Sequence, residues 1–178
     1  MNQEIKDHLS ALKIPLERDV FLRDLLRHLS GTLEEVVGLS EAAGFISLVG
    51  QRVGNDINEL YRGSLSLPVL NREQVAGVLA DLKQRIQGDF EVEYEDDERI
   101  VLRSKSCPFG DRVKQRTSLC MMTSNVFGTI TSENLGYAKV AIESSIARGD
   151  TGCRVTVYIQ PSEAANAVSG VEYYKAGQ

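Results

Sequence analysis

The run Phe90–Leu102, FEVEYEDDERIVL, decides the fold class. Phe90, Val92 and Tyr94 alternate with acidic residues, Asp96-Asp97-Glu98 makes a polar turn, and Ile100 and Leu102 resume the alternation. Successive side chains of a strand point to opposite faces, so this period of two predicts a β-hairpin with one buried face.

Upstream of the hairpin the period is helical. Leu22, Leu25, Leu26, Leu29, Leu33, Val36 and Val37 recur at steps of three and four, which is one stripe of a helix. Gly38 predicts a stop and Ser40-Glu41 a new start. Ala42, Phe45, Ile46, Val49, Val53, Ile57, Leu60 and Tyr61 then share a second helical face, with Gly50 and Gly54 one turn apart on the same side. Glycine inside a helix costs about 1 kcal/mol relative to alanine. The pair therefore predicts close approach of another backbone, as a helix-packing or dimer seam, ahead of a ligand site. After the loop SLSLP (64–68), Asn71 is a good N-cap with Gln74 as its capping-box partner. Val75, Val78, Leu79, Leu82 and Ile86 form the third helical stripe, and Gly88 ends it. Residues 1–18, with Ile5, Leu9, Leu12 and Ile14 before Pro15, read as a leader helix or linker.

Downstream, CPFG (107–110) predicts a turn and a helix spans about 117–130. Val140, Ile142 and Ile146 read as one strand, residues 148–152 as a turn, and Cys153, Val155, Val157 and Ile159 as one face of a return strand ended by Pro161. Residues 161–178 read as a tail that forms a short helix or frays. The order α-α-α-β-β-α-β-β predicts one α+β domain over residues 19–160: a mainly antiparallel four-stranded sheet packed against the N-terminal helices.

The 178 residues carry a net charge of −5, three Cys, two His and no Trp. This acidic balance disfavours a large phosphate-binding face. No run approaches the roughly 18 apolar residues a membrane span needs. The start MNQEIKDHLS lacks the pattern of a signal peptide. An odd, low cysteine count predicts reduced thiols and a cytoplasmic protein.

The candidate site residues are Cys107, Cys120 and Cys153. Three thiols suit a zinc ion or an iron–sulfur cluster, but closed sites of either kind want four ligands. The fourth would come from Asp111, Glu133, Asp150, His28, water or a second subunit. The alternative is that all three are small buried apolar side chains. Cys153 shares its strand face with Val155 and Val157 and reads as core; for Cys107 and Cys120 both readings stand. A helix start near Cys120 would lower its thiol pKa. Ser118 and Ser124 have no His neighbour in sequence, and there is neither a GxGxxG nor a Walker A loop. Asp96-Asp97 reads as a solvated corner, Glu34-Glu35 as the exposed side of a helix, and the 149–152 run as a hairpin turn. Three helices and a hairpin also follow the order of a winged-helix DNA reader, but the EVEYEDDER hairpin would be repelled by phosphate, so nucleic acid is not an expected partner.

Taken together, CPFG (107–110), LCMMTSNVFG (119–128), LGYAKV (135–140) and IARGDTGCRVTVYI (146–159) resemble the methanogen output domain family. VVGLSEAAGFISLVGQRVG (36–54) and IQGDFEVEYED (86–96) extend the likeness. That family is similar to the vinyl-reductase-like small-molecule-binding superfamily. The resemblance implies helices on an antiparallel sheet, homodimers, cysteine-rich corners able to hold zinc, and a non-enzymatic sensor or output role beside a kinase or response regulator. A shorter likeness is to iron–sulfur-sensing repressors. These usually carry a further Cys before CPF, where this chain has Arg103-Ser104-Lys105-Ser106. The expectation is a cytoplasmic, dimeric signalling domain that binds a small ligand or metal near its cysteines. A redox or metal-dependent regulator is the alternative.

Overall fold

The computed structural model describes residues 3–175. Residues 1–2 and 176–178, and the side chains of residues 4, 6 and 9, lie outside the described residues, so the expectation for Leu9 and the outermost parts of the leader and tail fall there. The helices are α1 (Gln3–Ala11), α2 (Arg18–Val37), α3 (Leu39–Leu65), α4 (Arg72–Arg85), α5 (Cys120–Leu135) and α6 (Glu163–Asn166). The strands are β1 (Glu91–Glu95), β2 (Arg99–Ser104), β3 (Tyr137–Ser144), β4 (Cys153–Tyr158) and β5 (Val171–Tyr174).

The sheet is antiparallel, in the order β1-β2-β4-β3-β5, with five strands where the sequence predicted four. The extra strand comes from the tail. Val171 pairs with Val140 and Tyr174 with Tyr137, capping the free edge of β3. Tyr173 fixes it from behind. Its hydroxyl lies 2.9 Å from Ser124 Oγ, and its ring fills the space over Gly128, where an added Cβ would come within 2.1 Å. Two boundaries also shift. Residues 117–119 form a 3-10 turn ahead of α5, and Ile146 lies in a 3-10 turn beyond the end of β3.

One face of the sheet carries the core. Val75, Val78, Leu79 and Leu82 of α4 meet Val126, Phe127 and Ile130 of α5 over Ile100, Leu102, Val140, Val155 and Val157. Asn71 begins α4 with both halves of the capping box in place. The rings of Phe90 and Phe127 meet edge to face at 5.8 Å. The hairpin that announces the sheet is less buried than its alternation implies. Phe90 is 3% exposed, but Val92 and Tyr94 on the edge strand β1 are 36% and 49% exposed.

Helix α3 crosses the outside of α5. Its buried residues, Ala42, Ile46, Gly50, Gly54 and Asn58, fall every fourth position. An added Cβ at Gly50 would lie 2.8 Å from Asn125 Cβ, and one at Gly54 2.9 Å from Thr129 Cβ. The two glycines thus form a close seam between α3 and α5 within one chain. At its far end, Asn134 donates to Asn58 at 2.7 Å and accepts from the Leu70 N–H at 2.9 Å. Other large apolar residues of α3, Phe45, Leu48, Val49 and Leu60, are exposed.

Helix α2 is inverted relative to expectation for a globular domain. Its buried residues are Ser30 and Gly31, and Phe21, Leu22, Leu25, Leu29 and Val36 are exposed. Gly38, at φ 83°, separates it from α3 in a conformation that favours glycine.

Candidate functional site: a thiol pocket beneath a strap

Between β2 and α5 the chain runs over one end of the sheet as a strap, residues 105–119, built largely from 3-10 turns at Gly110–Val113 and Thr117–Leu119. Asp89 sets its start: the carboxylate accepts from Ser104 Oγ at 2.5 Å and from the backbone N–H groups of Lys105 and Ser106 at 2.8 Å each. Burial pushes the Asp89 pKa up, but those hydrogen bonds outweigh it and hold the carboxyl below its usual range. The Gly110 N–H then closes a turn onto the Cys107 carbonyl at 2.7 Å.

Under the strap lies an almost wholly apolar cavity of about 30 Å³. Cys107, Pro108 and Phe109 of the strap, Cys120 and Thr123 of α5, and Cys153 of β4 are among its walls. The three cysteines predicted as site residues therefore converge on one pocket. All are free and partly buried. They differ in support: Cys153 packs against the main core, while Cys107 and Cys120 belong to a small cluster with Val113, Leu119 and Ala147. Such a cavity has room for a water or two.

The thiol chemistry departs from expectation. Burial pushes the Cys107 thiol up, opposed in part by the Phe109 backbone N–H. Burial also pushes the Cys120 thiol up, although it opens a helix, because loss of water outweighs the Ser145 hydrogen bond and the positive charges nearby. Both are therefore protonated thiols at neutral pH. Among the described residues, no group of three His, Cys, Asp or Glu side chains is placed to hold a metal ion.

Lys83 is a site residue that the sequence reading does not single out. It is 5% exposed. Its Nζ donates to Thr123 Oγ1 at 2.7 Å and lies 5.5 and 5.4 Å from the ring centres of Phe90 and Phe127. Burial pulls its pKa down to about 8, with the three nearby cysteines acting in the opposite direction. A signal is present in the chain: Lys83 follows Ala76 by seven positions and Leu79 by four, which puts it on the buried stripe of α4.

The strap is fastened on its outer side to α2. Asp24 receives Arg112 Nε at 2.6 Å and Nη2 at 3.3 Å. That guanidinium holds the Asp24 carboxyl below its usual range. Arg27 Nη1 donates to the carbonyls of Arg112 at 2.6 Å and Lys114 at 2.9 Å. Glu34 accepts from Ser118 Oγ, and Arg116 lies against Gly31, where a Cβ would come within 2.8 Å of Nη2. The inward face of α2 is thus a set of polar clamps on the wall of the pocket.

Residues 25–158 match the family described as methanogen output domain 1. The chain belongs to that family. This output domain shares its fold with the phenol-responsive sensory domain of the transcription activator PoxR, solved with phenol: the TM-score is 0.63 at 15% identity, covering 86% of this chain and 81% of that one. It is also similar to trafficking protein particle complex subunit 3 from Naegleria fowleri, solved covalently bound to palmitic acid, with a TM-score of 0.54 at 12% identity over 79% of this chain and 96% of that one. No match to a curated protein was found. No described helix of the output domain is long and apolar enough to cross a membrane.

Proposed function

We propose that this output domain is a non-enzymatic, cytoplasmic sensor of a small molecule, and that occupation of the thiol pocket is transmitted through the strap to α2. The observation that carries this reading is the double attachment of the strap. One side of residues 107–119 lines the cavity, and the other is clamped to α2 by Asp24, Arg27 and Glu34. A cavity of about 30 Å³ is smaller than any organic ligand, so a ligand enters by displacing a wall. The strap is built of turns and not of α-helix or strand, unlike the walls from α5 and β4. The fold likeness to a phenol-responsive domain supports a sensory role, and the described pocket walls include no His, Asp or Glu to serve as a general base.

The outward apolar face of α2 supports the second half of the reading: a homodimer through the N-terminal helices, read by a kinase or response regulator. Phe21, Leu25 and Leu29 are 55%, 49% and 62% exposed on one stripe. Signalling is then a population shift. A ligand that binds the displaced-strap state a hundredfold more tightly supplies about 2.7 kcal/mol of bias.

Methyl methanethiosulfonate, a small probe that converts a thiol to its methyl disulfide and releases methanesulfinate, tests the linkage. Modification at Cys107 or Cys120 is expected to speed amide hydrogen exchange across residues 24–34 of α2, and to do so less in Asp24→Asn. Unchanged exchange in α2 of the modified wild type sinks the proposal.

A further inference from the structure

We infer that the pocket takes a small apolar monoanion, such as a short-chain or aromatic carboxylate, and that Lys83 is the residue that selects for the charge. The inference rests on the reading of the cavity as a ligand site and names the class of ligand. Lys83 is 5% exposed, and among the described residues no salt bridge reaches it. Its Nζ donates to Thr123 Oγ1, a neutral hydroxyl on a residue that itself lines the cavity. Its other near neighbours are the rings of Phe90, also a cavity wall, and Phe127. An ammonium buried without a counter-charge is strongly disfavoured unless something supplies one.

No described side chain supplies it. The ionisable groups that act on Lys83 are the three thiols of the pocket, and burial keeps Cys107 and Cys120 protonated. Lys83 therefore places a positive charge directly behind two of the cavity's walls, Thr123 and Phe90. A neutral ligand would leave that charge unbalanced. A dication such as zinc would be repelled by it. A monoanion with an apolar body satisfies both features at once: the carboxylate meets Lys83 and Thr123, and the body packs against the walls in place of the displaced strap. The depressed pKa of Lys83 agrees with this, since it reflects a cation waiting for a partner.

Isothermal titration with matched pairs tests the charge. Benzoate is compared with benzamide and benzyl alcohol, and butyrate with butanol, on the wild-type chain and on Lys83→Met and Lys83→Arg. At least one anion is expected to bind tenfold or more tightly than its neutral counterparts. Lys83→Met removes that preference and Lys83→Arg keeps it, with circular dichroism confirming that both variants fold. Neutral compounds binding as tightly as the anions, or an anion preference that survives in Lys83→Met, overturns the assignment while leaving the pocket as a ligand site. Failure of every compound to bind overturns both readings.

Discussion

Helices α2 and α4 carry the same kind of pattern and use it in opposite senses. In α4 the stripe Val75, Val78, Leu79, Leu82 is turned inward and supplies a quarter of the main buried cluster. In α2 the stripe Leu22, Leu25, Leu29, Val36 is turned outward, and the polar side faces the domain. The difference teaches that helical periodicity reveals a face and leaves open what covers it. Burial of α4 is settled by a sheet in the same chain. The orientation of α2 is settled by Asp24, Arg27 and Glu34, which find partners on the strap and thereby fix which side is left for something else.

The comparison can be broken most sharply by truncating one leucine on each helix. Leu79 is fully buried, so Leu79→Ala is expected to lose about 2–5 kcal/mol in chemical denaturation. Leu29 is 62% exposed, and Leu29→Ala in the monomer should stay within about 0.5 kcal/mol of wild type. Equal losses at the two positions would end the contrast.

Lys83 sharpens it, because α4 buries a charge among those apolar residues. Its folded pKa of about 8 lies below the ordinary value of 10.5, so the unfolded chain binds more protons between those limits. The penalty is complete below pH 8 and relieved as pH rises towards 10.5, on the order of 3 kcal/mol in all. Tyr61, Tyr137 and Tyr173, all pushed up to about 12, act in the reverse direction at the alkaline end. The quantity to measure is therefore wild type minus Lys83→Met, by urea unfolding at stepped pH. A flat difference from pH 8 to 10.5 would show that Lys83 is not held as a buried cation.

The smallest effect on stability is expected on α2. Leu25→Glu with Leu29→Glu should leave monomer unfolding almost unchanged yet abolish the proposed dimer in sedimentation equilibrium. Retention of the same oligomer by the double variant would place the interface elsewhere.

Much of this is legible in the sequence, for reasons that differ by region. Asn71 and Gln74 announce α4 because a capping box is purely local. The hairpin turn 96–98 is equally local; Asp96 accepts the Glu98 and Arg99 N–H groups at 2.8 and 2.9 Å. Strand β5 is not legible. VEYY becomes a strand because β3 has a free edge and Gly128 leaves a space for Tyr173, and both facts are tertiary. The motifs around Cys107, Cys120 and Cys153 mark candidates, but their spacing does not show that the three thiols line one pocket, a fact set by the fold. Lys83 escapes notice because a lysine ordinarily belongs to the surface, although its spacing places it on the core stripe. The pair Gly50 and Gly54 signals a close approach, and only the structure identifies α5 as what approaches.

The order β1-β2-β4-β3-β5 gives the sheet two unlike rims. On β1 the residues Glu91, Glu93 and Glu95 recur at every second position of an exposed strand. A second copy approaching that rim would meet carboxylates with carboxylates, which discourages edge-to-edge polymerisation. On β5 the guard is shorter, with Glu172 as its one acidic residue and Tyr174 63% exposed. Any tendency of this domain to stack into fibres is therefore concentrated at β5, and a lysine or proline introduced there would suppress it.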